Sequence, residues 1–107
     1  MKYIRTESEI YSLDDLYVCE ELNGKPYATK NGGWCIYRDS IIKEANTIKE
    51  LCDCFVFIDE GCEPEVLYED DLPIFPTKHM QFYGAIWTEW GLKYVAKMND
   101  DGELVTL

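Results

Sequence analysis

Apolar residues in this chain fall into short groups divided by polar turn residues, and the spacing inside those groups departs from a strand period in one segment only. Residues 2–5 and 9–13 read as two short strands around the polar turn Thr6-Glu7-Ser8. Asn23-Gly24 then lies between the strand-like segments 16–22 and 25–30, and this dipeptide accommodates the positive φ angles of a two-residue hairpin turn. Pro26 cannot donate to a ladder, so its strand is expected at an edge or with that nitrogen toward water. Asn31-Gly32-Gly33 supplies a second reversal before 34–38, which completes a three-strand meander.

The period shifts in DSIIKEANTIKELCDCFVFID, residues 39–59. Thr47 followed by Glu50 has the form of a capping box and predicts a helix from about Ile48. Ile48, Leu51, Cys52 and Phe55 would share its buried face, while 40–46 fits a preceding helical turn or a strand equally. Phe55, Val56, Phe57 and Ile58 form a continuous run of aromatic and β-branched residues, which predicts a strand covered on both faces. From 59 to 76, three prolines, Gly61 and many acids predict an irregular connection with 66–68 extended, and loops of that length are commonly functional. Segments 81–88, 92–98 and 103–107 predict three more strands, joined at Glu89-Trp90-Gly91 and Asn99-Asp100-Asp101-Gly102. The expected class is α+β: a mainly antiparallel β-sheet or meander with one short helix.

With 107 residues the chain fits one acidic globular domain, and 47% hydrophobic against 29% charged residues separates it from a disordered acidic tail. A formal net charge of −11 opposes direct contact with nucleic-acid phosphates or an anionic membrane, and attracts a basic protein surface. The opening MKYIRTESEIY has no apolar run of signal-peptide length, and no stretch is long enough to span a bilayer, so a cytoplasmic location is expected. Five cysteines, an odd number, fit free thiols in a reducing compartment.

Three of those cysteines lie in ELCDCFVFIDEGCEPEVLYEDD, residues 50–71, together with nine of the chain's 21 acids and no Lys or Arg. Cys52, Cys54, Cys62 and the lone His79 would make a chemically reasonable zinc shell, but residues two apart on a helix do not face one another, and core thiols are the preferred reading. A cysteine nucleophile lacks a base and orienter, and the surrounding acids oppose thiolate formation. Asp70-Asp71, Glu20-Glu21 and Asp100-Asp101 are adjacent pairs whose side chains point to opposite faces of an extended chain, so no catalytic dyad is formed by them. Residues 59–63 lack the alternating oxygen ligands of a calcium loop, and Gly32-Gly33 is better explained as a turn than as a phosphate cradle. Neither an enzyme nor a cofactor is expected. Phe82, Trp87, Trp90 and Tyr94 lack the basic groove that accompanies a base-stacking platform; core packing or an anchor for a protein partner fits them better.

At MKYIRT and again at SIIKEANTIKELCDCFVFID, the sequence resembles small phage and prophage accessory proteins of low-GC Gram-positive bacteria. Asn46-Thr47-Ile48-Lys49-Glu50-Leu51-Cys52-Asp53 carries the likeness, and Cys54 stands where an acidic residue is common in those proteins. The resemblance implies a non-catalytic accessory protein in a bacterial host. The expected function is inhibition of a host nucleic-acid-processing protein, a CRISPR nuclease among the candidates, through an acidic surface. Glu60, Glu63, Glu65, Glu69, Asp70 and Asp71 are its charge candidates and Tyr68 its anchor. A structural or regulatory interaction module without nucleic-acid mimicry, and a small zinc-binding protein, are the alternatives.

Overall fold

The computed structural model describes residues 2–18, 27–30, 35–71 and 80–107, in which eleven strands form three antiparallel sheets. β1 (Tyr3–Arg5) pairs on one side with β2 (Ile10–Ser12) and on the other with β6 (Lys43–Ala45). β3 (Leu16–Val18), β4 (Tyr27–Thr29) and β5 (Cys35–Ile36) form the meander. The largest sheet has the order β11-β10-β9-β7-β8, with β7 at Cys54–Asp59, β8 at Glu65–Leu67, β9 at Met80–Thr88, β10 at Gly91–Met98 and β11 at Leu104–Thr106. The class is α+β, dominated by antiparallel sheet with little helical content.

Strand alternation stacks these sheets in three layers. In β1, Tyr3 faces the largest sheet and contributes to a core containing Ile10, Ala45, Ile48, Leu51, Phe55, Phe82 and Ile86. Ile4, the next residue, turns the other way and packs with Leu16 and Ile36 of the meander. Phe55 and Phe82 stack at the centre of the first core, 5.7 Å between centroids. A register shift between Tyr94 and Ala96 is a bulge, which lets the consecutive residues Val95 and Ala96 both enter that core. β7 carries Phe55 and Phe57 to this side and Cys54, Val56 and Ile58 to the other, so it is covered on both faces as its sequence predicts. The layers give an elongated body of 50 × 29 × 25 Å.

The strands expected around Thr6-Glu7-Ser8, in the meander and at the C-terminal end are present. The Asn23-Gly24 turn, Pro26 and Asn31-Gly32-Gly33 lie outside the described residues. Two expectations are corrected. The helix from Ile48 is a single 3₁₀ turn, Lys49–Leu51, and the Thr47–Glu50 capping box does not form: Ile48 occupies the cap position with no side-chain cap bond. Its partners explain this. Asp53 already donates its backbone N–H to the Ala85 carbonyl and Cys54 opens a strand paired with β9, so the chain must extend before one helical turn could repay its nucleation cost. Ile48, Leu51, Cys52 and Phe55 are nevertheless all buried in one cluster. Nor is the segment after Asp59 an irregular loop throughout: β7 and β8 form a hairpin, with Phe57 opposite Glu65 and Phe55 opposite Leu67, and Gly61 takes the positive φ (84°) that the turn requires. Extended structure runs over 65–67 rather than 66–68, and a 3₁₀ turn, Glu69–Asp71, follows. Among the described residues no helix is long and apolar enough to cross a membrane.

Candidate functional site

The hairpin places the acidic residues on an arm at the sheet's edge. Glu60, Glu63, Glu65, Tyr68, Glu69, Asp70 and Asp71 are all exposed. β8 pairs with β7 alone among the described strands, so its other side is an edge. Leu67 turns inward onto the core while Val66, opposite Val56, points to the outer face and is exposed; Tyr68 is 61% exposed. Asp71 donates its backbone N–H to the Tyr68 carbonyl at 2.9 Å, which closes the turn carrying the last three acids. The segment thus exposes acids on both sides of β8, in the turn before it and in the 3₁₀ turn after it, together with Val66 and Tyr68, with no Lys or Arg anywhere between residues 50 and 71.

Cys52 and Cys54 do not share this surface. Cys52 belongs to the core between sheets, and Cys54 to the cluster on the opposite face with Val56 and Ala85. Burial pushes the Cys52 thiol up to about 12 despite the nearby Arg5 charge, and burial, followed by the Asp53 charge, raises Cys54 as well. Cys62 is exposed in the β7–β8 turn, and His79 lies outside the described residues. Among the described residues no group of three or more His, Cys, Asp or Glu is placed to hold a metal ion.

A second feature joins the middle and largest sheets and has no local signal in the sequence. Arg5 donates to both Asp53 carboxylate oxygens, at 2.5 and 2.7 Å, and to the Leu51 carbonyl at 3.1 Å. Asp53 also accepts the backbone N–H of Trp87 at 2.9 Å. Burial opposes ionisation of Asp53, but the Arg5 and Trp87 hydrogen bonds and the Arg5 charge together outweigh it and hold the carboxyl below its ordinary value. Above this pair lies an open groove of about 290 Å³ lined by Arg5, Glu7, Ile42, Trp87, Thr88 and Glu89.

Of the aromatics singled out above, Phe82 is core, whereas Trp87, Trp90 and Tyr94 are exposed. Tyr94 stacks on Tyr83 at 5.2 Å, and the Lys97 ammonium lies over the Tyr83 ring. Register sets Val105, Lys97, Tyr83, Val56 and Val66 in one row across the outer face of the largest sheet. No acid lies in that row. In comparison with known proteins, no family model, no curated protein and no solved structure matches this chain.

Proposed function

We propose that the protein is a non-catalytic phage or prophage accessory protein that inhibits a host nucleic-acid-processing protein, such as a CRISPR nuclease, by occupying a basic surface. The observation that carries this reading is the exposed segment 63–71, where Glu63, Glu65, Glu69, Asp70 and Asp71 are interspersed with the exposed Val66 and Tyr68 and with no Lys or Arg. Carboxylates at such an edge compete with phosphates for Lys and Arg, and the ring and valine supply the apolar contact that keeps a bound complex from dissociating quickly. The chain's charge of −11 speeds approach to such a surface and repels nucleic acid itself.

Capture from a bacterial lysate, with the variant E63K/E65K/E69K/D70K as control, tests the reading. Each rim ion pair is worth ~0.2–1 kcal/mol, so loss of four pairs should weaken partner binding by about fourfold or more and flatten its dependence on salt, with inhibition of the captured nuclease falling in step. Unchanged affinity would sink the acidic-surface mechanism. A second reading, an interaction module without mimicry, is favoured by the exposed Val66, Tyr94 and Val105 on the outer face of the largest sheet, with Tyr94 stacked on Tyr83; it requires association that is insensitive to salt and lost on Tyr94→Ala.

A further inference from the structure

The geometry points to the groove beside Arg5 and Asp53 as a receptor for one arginine side chain of a protein partner. This rests on the reading that the partner is basic, and adds where one of its charges is held. The groove, about 290 Å³ and open to solvent, has room for one extended side chain. Its walls match a guanidinium on a flexible stem. Trp87, 52% exposed, offers an indole on which a planar cation stacks, and Ile42 an aliphatic surface for methylenes.

The electrostatics of the groove favour a cation although Arg5 forms part of its lining. Both Arg5 terminal nitrogens are committed to Asp53, and its side chain is only 13% exposed. Glu9, close by in sequence, is paired with Lys93. Glu7 and Glu89 are exposed at the groove and form no ion pair among the described residues. With Arg5 cancelled by Asp53, those two carboxylates give the groove lining a net charge of two negatives, while Lys43, opposite Arg5 across β1 and β6, turns its ammonium to the Glu50 carbonyl. The last part of the arm, 68–71, heads toward the groove: Leu67 pairs with Phe55 and Phe55 with Gly84, so the chain leaving β8 runs to the end at which β9 reaches Trp87, whereas the turn with Glu60 and Glu63 lies at the other end, beside Met80.

The test is a titration of the ¹⁵N-labelled full chain with Nα-acetyl-arginine methylamide, alongside the citrulline analogue, which has the same shape without the charge, and the lysine analogue. The expected result is a saturable shift of the Trp87 indole N–H and of the Glu7 and Glu89 amides, with no saturable response at the Trp90 indole. Citrulline should not saturate, lysine should bind more weakly than arginine, Trp87→Leu should weaken arginine binding roughly twofold to fivefold, the factor for losing one exposed cation–π contact, and E7Q/E89Q, which removes two carboxylates, by at least as much. Absence of saturation, equal binding of citrulline or lysine, or the same response at both indoles overturns the assignment. The probe needs no partner protein, so a saturable arginine site without any basic partner would remove the proposed function and leave the groove standing. Partner binding lost by arm reversal but unaffected by Trp87→Leu would remove the groove from the complex.

Discussion

Gly84→Ala is the substitution whose cost can be traced most directly to named atoms. A Cβ at Gly84 would lie 2.5 Å from the Cys52 sulfur, 3.4 Å from Ala96 Cβ and 3.6 Å from Leu104 Cδ1. The first separation is far inside van der Waals contact, and Cys52 and Ala96 are both buried, so the thiol must rotate or the strands must part. Overpacking of this kind costs ~1–3 kcal/mol. Losing glycine's freedom in the unfolded chain returns ~0.4–1 kcal/mol, because Gly84 has no positive φ to protect. The net destabilisation should therefore be about 1 kcal/mol, toward the upper end of the range if the thiol cannot turn. Urea unfolding followed by tryptophan fluorescence reads it as a lower midpoint at constant slope. Cys52→Ala removes the obstructing atom, and in the double variant the new methyl fills part of the vacated space. The two substitutions should then couple favourably by ~1 kcal/mol or more. Additive losses in the double variant would refute the contact between Gly84 and Cys52 as the cause.

Two further outcomes follow from the half-buried Arg5–Asp53 pair and the buried thiols. Asp53→Asn should cost ~1–3 kcal/mol near neutral pH, below the range for fully buried pairs because Asp53 is 31% exposed. The folded carboxyl lies below its unfolded value of 3.8, so its stabilisation is complete above that value and disappears as pH falls through the folded pKa; a wild-type advantage over Asp53→Asn that stays constant down to the lowest pH would refute the pairing. Iodoacetamide at pH 8 should modify Cys62 and Cys35 in the native protein while sparing Cys52 and Cys54 until urea unfolds it; peptide mass mapping checks this, and native labelling of Cys52 at the rate of Cys62 contradicts its burial.

Local sequence carried the strands well and the turns between cores poorly. Ile48, Leu51, Cys52 and Phe55 were legible as inward residues because apolar spacing reports burial, but the same spacing implies a helix only when the following residues are free to continue it. Cys54 and Phe55 are held in β7 by β8 and β9, a constraint that arises from segments far along the chain. Val66 marked the extended piece of the acidic connection, while its register depended on Phe57 and Phe55 across the hairpin. The acidic candidates were visible as composition. The Arg5–Asp53 pair joins residues 48 apart, and the groove above it exists only once β1 is packed beside the end of β9. No spacing rule reaches that far.

Among the described residues both edges of the largest sheet are three-residue strands, β8 and β11, and unpaired backbone groups along an edge are templates for adding further chains. Each edge also presents an exposed apolar side chain, Val66 on β8 and Val105 on β11. Repulsion between like-charged arms keeps two copies from meeting edge to edge at β8, so the acids guard against fibril growth whatever else they bind. Replacing them with neutral residues would remove that guard, whereas replacing them with lysines would keep it with the opposite sign.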